Sequence, residues 1–200
     1  MNIVHIDSSI LEDQSVSRKL SAAIVSRLRA LSPGAGVVYR DLNLDPLPQL
    51  NTANAAALNP AAPADSIEVR ALNVALEQVL AADAVVIGAP MYNFSVPAPL
   101  KAWLDALAVP GKTFSYGDGG VRGLLGEKRV IVASSRGGVY APESPMAALD
   151  HHESYLRAFF GFLGVTRLEF VRAEGVRLGE DEAQRAVAGA LEQVERLRAA

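Results

Sequence analysis

The chain of 200 residues contains no cysteine. That absence excludes disulfides, thiol nucleophiles, iron–sulfur clusters and thiolate zinc sites. An excess of one charge is also missing, with 19 Lys and Arg against 22 Asp and Glu, a net −3. A nucleic-acid binder would show a basic patch and an acidic disordered chain a large imbalance; neither is present. No apolar run approaches the roughly 20 residues that span a bilayer. The start, Met1-Asn2-Ile3-Val4-His5-Ile6-Asp7, lacks the basic region and apolar core of a signal peptide. A cytoplasmic protein is expected, with no nucleic-acid partner and no membrane insertion. Metal ligands are scarce as well. His5 alternates with Val4 and Ile6 as a strand residue would, and His151-His152 would point apart on a helix with no third ligand, so no metal site is expected.

Half of the residues are hydrophobic, enough for one domain over residues 1–200 with a core that needs no staples. Ile3–Ile6, Val37–Tyr39, Ala84–Ile87, Val130–Ala133 and Arg167–Arg172 read as strands, and Gly88 and Pro90 read as ending the third. In the fifth, Leu168, Phe170 and Val171 are expected to face inward. Helical spacing covers Ser17–Leu31, Ser66–Leu80, a stretch opening at Ser95-Val96-Pro97-Ala98-Pro99 and running through Leu107, His151–Leu163 and Asp181–Arg198. Residues 43–64 read as a surface excursion, and Gly111–Gly126 as an irregular, glycine-rich segment. The charged Glu127-Lys128-Arg129 precedes the fourth strand. Trp103 reads as core or dimer face, and Phe159, Phe160 and Phe162 as too many aromatics for one buried stripe. Strands alternating with helices imply a parallel sheet covered on both faces, here an α/β flavodoxin-like fold with strand order 2-1-3-4-5.

In that topology the C-terminal ends of strands 1, 3 and 4 are neighbours, and the loops leaving them have unusual content. The first carries Ser9, Ser15, Val16 and Ser17 before a helix. Free N–H groups, the positive end of a helix dipole and hydroxyls together suit a phosphate, although one such serine could simply cap the helix. Neither a P-loop nor a G-x-G-x-x-G fingerprint is present. The second loop, Met91-Tyr92-Asn93-Phe94, is either a plain strand-to-helix connector or a platform for a flat ring. Its aromatics and thioether can pack on the ring, and its amide can bond the polar edge. The third, Ser135-Arg136-Gly137-Gly138, offers successive N–H groups without bulk at the glycines. Phosphate site, ring platform and glycine-backed edge together compose a flavin mononucleotide (FMN) pocket. Ser135 has no G-x-S-x-G elbow, which disfavours a serine hydrolase.

These motifs, with Ser8-Ser9-Ile10, Pro90 to Phe94 followed by Leu100-Lys101, Phe114-x-Tyr116, and Phe159-x-Gly161-Phe162-x-Gly164, carry a whole-length resemblance. The chain resembles the FMN-dependent NADH:quinone reductases and azoreductases of the flavodoxin-like superfamily, once labelled acyl carrier protein phosphodiesterase. The resemblance implies FMN held at its phosphate by Ser9, Ser15, Val16 and Ser17. It places the ring on Met91, Tyr92, Asn93, Phe94, Ser135, Arg136, Gly137 and Gly138. Family members often carry glutamine where Val16 stands, and a backbone N–H contact survives that change. The resemblance also implies NADH, or NADPH, as co-substrate, quinones or azo compounds as acceptors, and a homodimer with active sites at the interface. There Tyr116 and Phe162 would bind substrate, Phe162 from the opposite subunit. No side chain need act as a nucleophile; N–H donors from Asn93, Gly137 and Gly138 would support charge on the flavin. A flavodoxin-like electron carrier and a carrier-protein phosphodiesterase are the rival readings.

Overall fold

The computed structural model describes residues 1–59, 65–117 and 119–199. The chain starts in β1 (Asn2–Asp7), turns through a short 3-10 segment at Glu12–Gln14 into α1 (Val16–Leu31), and enters β2 (Gly36–Asp41). The 43–64 excursion holds a second 3-10 turn at Ala55–Leu58, and its residues 60–64 lie outside the described residues. Then follow α2 (Ile67–Ala81), β3 (Ala84–Pro90), α3 (Ala98–Leu107), β4 (Phe114–Gly117), β5 (Gly120–Gly123) and β6 (Arg129–Ser135). After a 3-10 turn at Ala147–Leu149 the chain closes with α4 (His151–Phe162), β7 (Arg167–Ala173) and α5 (Glu180–Glu195). Among the described residues no helix is long and apolar enough to cross a membrane.

Five strands pair in parallel in the order β2-β1-β3-β6-β7, which is the expected flavodoxin-like order. Side-chain alternation divides the core between the two faces of this sheet. Val4, Ile6, Val85, Ile87, Val130 and Val132 face α2, α3 and α4. Ile3, Val86, Ile131 and Val171 face α1 and α5. Phe170 and Leu168, on the edge strand β7, are only partly buried against the first of these layers. Trp103 lies at the centre of the first layer, fully buried, so it serves the core rather than a surface. The three phenylalanines of α4 separate: Phe160 is core, Phe159 packs against it, and Phe162 is exposed.

Three local expectations are corrected. Gly88 does not end β3: Gly88, Ala89 and Pro90 continue the register against Ala133, Ser134 and Ser135 of β6, and the strand ends at Pro90. β1 ends opposite Gly88, so the donor that proline lacks at the last position has no ladder to complete on that side. Gly88 is required there, since a Cβ would stand 2.1 Å from Asp7 Oδ1. Arg129 does not merely precede β6 but begins it, buried, with Nε 2.6 Å from Glu169 Oε1 and Nη1 donating to the Arg198 carbonyl at 2.7 Å. The glycine-rich 111–126 segment is not irregular throughout. β4 and β5 form an antiparallel hairpin, with Phe114 opposite Gly123 and Tyr116 opposite Val121. Asp118 lies outside the described residues.

Candidate functional site

The C-terminal ends of β1, β3 and β6 form the crevice at which the sheet order reverses, where open α/β sheets bind ligands. Direct bonds tie the three loops together. Tyr92 Oη stands 3.1 Å from Ser9 Oγ and accepts the Ile10 N–H at 3.2 Å, joining the first loop to the second. The Met91 N–H donates to the Ser135 carbonyl at 2.8 Å, joining the second to the third.

In the first loop, Ser15 is the N-cap of α1, its Oγ accepting the Arg18 N–H at 3.3 Å. A cap of this kind contributes about 1 kcal/mol. It leaves the Val16 and Ser17 N–H groups without a partner among the described residues. The Ser15 and Ser17 hydroxyls lie 3.1 Å apart beside them. Two unpartnered donors and two hydroxyls, with Ser15 and Ser17 both buried, stand at the positive end of a 16-residue helix, a combination that suits an anion.

The second loop is a tight turn. Tyr92 and Ser95 exchange both backbone bonds, at 2.9 and 3.1 Å, around Asn93 and Phe94. Both central residues have positive φ, 48° for Asn93 and 73° for Phe94, as a type I′ turn demands. Asparagine tolerates this region; phenylalanine does so at a cost of roughly 1–2 kcal/mol. The strain displays the Phe94 ring, 40% exposed, and leaves the Asn93 amide with no partner among the described residues. A strained, exposed aromatic beside an uncommitted amide favours the platform reading over the plain connector.

In the third loop the backbone is held from one side only. The Val176, Arg177 and Gly175 N–H groups donate to the carbonyls of Arg136, Gly137 and Gly138 at 3.1, 3.1 and 2.9 Å. The N–H groups of Gly137 and Gly138 have no partner among the described residues. Arg136 sends its backbone and its side chain in different directions. The guanidinium is 2% exposed, with Nη1 3.0 Å from Asp150 Oδ2 and 3.1 Å from Glu174 Oε1, and Nη2 on Glu153. Glu153 is shared with Arg172, whose Nε is 2.6 Å away. The Arg136 N–H donates to the Ala173 carbonyl at 2.9 Å, so its backbone is engaged as well, and its side chain ties the turn to α4 and to the end of β7.

That ion cluster was not foreseen from sequence, since its members are spread from 136 to 174 and only Arg136 belongs to a motif. Asp150 is its hinge, because the same carboxylate caps α4, accepting the His152 and Glu153 N–H groups at 3.1 and 3.0 Å. The His151 N–H reaches back to the Phe94 carbonyl at 3.1 Å. His152 is completely buried and its ring nitrogens lack a well-formed hydrogen bond. Burial, then the nearby Arg136 charge, lower its pKa to about 4.

Tyr116 and Phe162 are not brought to this crevice. Both rings pack on Phe114, at 5.4 and 4.7 Å between centroids. Phe162 is the last residue of α4, whose first residue touches Phe94. Eleven helical steps separate these ends by roughly 16 Å.

The chain belongs to the flavodoxin-like fold family, whose model matches residues 1–197. Among curated proteins it is 52% identical over 202 residues to FMN-dependent NADH:quinone oxidoreductase 2 of Bradyrhizobium diazoefficiens, covering 100% of each chain. Among solved structures it resembles azoreductase AzrA, with a TM-score of 0.87, 32% identity and 98% of each chain covered. It also resembles an FMN-dependent NADH-azoreductase from Bacillus anthracis in complex with FMN, with a TM-score of 0.83 and 25% identity, covering 98% of this chain and 96% of that one.

Proposed function

We propose that the protein is an FMN-dependent NADH:quinone oxidoreductase that also reduces azo compounds, the whole chain working as one domain. The observation that carries the reading is the pair of uncommitted N–H sets, Val16 with Ser17 and Gly137 with Gly138, on loops bonded to each other through Tyr92 and Met91. The residues present fit FMN. Anion donors lie at the α1 start, ring-packing side chains in the middle loop, and donors free of side-chain bulk on the far loop.

Bound FMN would supply the two-electron redox chemistry that links NADH or NADPH to a quinone or azo acceptor. The chain contributes binding and electrostatics. Ser9, Ser15, Val16 and Ser17 bind the phosphate. Met91, Tyr92, Asn93 and Phe94 seat the ring from one loop, and Ser135 to Gly138 support it from the other. The Asn93 amide and the Gly137 and Gly138 N–H groups would hold negative charge at the polar edge, and the glycine turn would do so without reorganising, since it is already bonded to residues 175–177. The reductant leaves before the acceptor enters the same place. Steady-state kinetics should therefore give parallel double-reciprocal lines for NADH against quinone; intersecting lines would overturn the alternating site. A yellow purified protein and NADH turnover with quinone separate this function from an electron carrier and from a phosphodiesterase.

The homodimer belongs to the same proposal. Its support is an exposed apolar patch, Tyr116 at 74%, Val121, Leu124 and Phe162, formed by the hairpin and the end of α4 and distant from its own crevice. Patches of this kind mark interaction surfaces. Because Tyr116 and Phe162 share Phe114 as a neighbour, both rings reach a partner's pocket together. A cytoplasmic site of action, suited to NADH as reductant, is part of the same proposal.

A further inference from the structure

Arg18 lies in the first turn of α1, just after the serine cluster, and no part of the reading above uses its side chain. All five of its guanidinium N–H groups are committed. Nε and one proton of Nη2 donate to the Ser9 carbonyl, at 3.3 and 2.7 Å. The other Nη2 proton donates to Asp41 Oδ1 at 2.8 Å. Nη1 donates to Asp41 Oδ2 and to Tyr39 Oη, the latter at 3.3 Å. With five donors in a rigid fork, nothing is left over for a phosphate.

The partners are themselves fixed. Asp41 ends β2 and accepts the Asn43 N–H at 2.9 Å. The Tyr39 hydroxyl donates to Asp7 Oδ2 at 3.2 Å, and the Ser21 hydroxyl donates to Asp7 Oδ1 at 2.7 Å. Burial pushes the Asp41 carboxyl up, but the Arg18 and Asn43 bonds outweigh it and leave the group below its ordinary value, ionised beside Arg18.

The Ser9 carbonyl is the useful end of this chain of bonds. In a trans peptide the C=O of one residue and the N–H of the next point in opposite directions. Holding the Ser9 oxygen toward Arg18 therefore aims the Ile10 N–H at Tyr92 Oη, the atom that also meets Ser9 Oγ. One peptide plane thus sets the direction of the Ser9 hydroxyl loop and its junction with the second loop.

We propose that Arg18 and Asp41 form a strut that orients the Ser9–Ile10 peptide, making them positioning residues for the flavin phosphate rather than ligands of it. The proposal rests on the FMN reading. The strut is electrically neutral, so the pull on the phosphate comes from the Val16 and Ser17 N–H groups, the hydroxyls and the helix dipole. Arg18 determines whether Ser9 joins them.

The test is titration of the apoprotein with FMN and with riboflavin, which shares the ring but lacks the phosphate, read by quenching of flavin fluorescence. Losing the charge-assisted bonds in Arg18→Met should raise the FMN Kd by about 10- to 100-fold. The riboflavin Kd should stay within about threefold, because the ring loops keep their own tie between Met91 and Ser135. Arg18→Lys should fall between, since one ammonium cannot bridge Ser9 and Asp41 as a fork does. Asp41→Asn, nearly isosteric and milder for folding, should shift the same ratio in the same direction. Equal losses for FMN and riboflavin, or an unchanged FMN Kd, would overturn the strut while leaving the FMN reading standing. A wild-type apoprotein that binds no FMN would overturn both.

Discussion

His152 offers a test of how the ion cluster under the third loop is balanced. It is fully buried in the first turn of α4, close to Arg136. Burial and the neighbouring guanidinium hold its pKa at about 4, against an ordinary 6.5. The unfolded chain therefore takes up a proton between about pH 6.5 and 4 while the folded protein does not. More protons on the unfolded side mean that stability rises with pH across this window and falls as the solution is acidified through it. At about 1.36 kcal/mol per unit, a shift from 6.5 to about 4 corresponds to about 3 kcal/mol, a large part of the ~5–15 kcal/mol that holds a domain folded. No further loss from this group is expected below pH 4. The assay is urea unfolding at intervals from pH 7.5 to 4, comparing wild type with His152→Leu and His152→Gln. Other titrating groups are common to all three proteins, so the difference between the curves isolates His152. The wild type should lose about 3 kcal/mol more than either variant over the window. Because α4 is tied to the second loop through His151 and Phe94, flavin retention should weaken over the same range. Parallel stability curves would refute the reasoning, since they would mean that the buried imidazole is no harder to protonate than one in water.

Asn93→Gly keeps the positive-φ turn and removes only the amide. It should leave the melting temperature nearly unchanged and make the flavin midpoint potential about 30–60 mV more negative, the equivalent of one hydrogen bond to a charged group; an unaltered potential would end the role given to that amide. Gly88→Ala places a methyl 2.1 Å from Asp7 Oδ1 and 3.2 Å from Ser21 Oγ inside the sheet. Overpacking of this kind should cost about 3 kcal/mol, and a thermal melt matching wild type would contradict the packing described. Phe162→Ser with Tyr116→Ser should yield a protein that runs as a monomer on size exclusion and loses quinone turnover while still binding FMN, because neither ring touches its own crevice. A dimer of unchanged activity would remove those rings from the interface.

The layout of the sheet was legible because it depends on local alternation. Val85 to Ile87 and Val130 to Val132 read as buried strands from apolar, β-branched runs alone, and the helices between them dictate parallel pairing. Strand ends were less legible. Gly88 reads as a stop, yet β3 runs through it to Pro90, past the end of β1. Phe114 to Gly123 lacks apolar runs long enough to announce a hairpin, and its glycines read as irregular chain. The site divided the same way. Serines before a helix and glycines after a strand are short-range signals, so the three loops could be picked out and placed at one crevice. The division of labour inside Ser135-Arg136-Gly137-Gly138 could not. A motif residue appears to sequence reasoning as a single unit, whereas the fold leaves the Gly137 and Gly138 N–H groups without a partner among the described residues and buries the Arg136 guanidinium among Asp150, Glu153 and Glu174. Arg18 follows the same logic from the other end of the pocket: an arginine beside a serine cluster suggests a phosphate ligand, but its donors are spent on a carbonyl and a carboxylate. In both loops the charged side chain is spent on protein groups and shapes the backbone. Under the FMN reading, negative charge would meet neutral amide dipoles while each arginine stays matched by carboxylates.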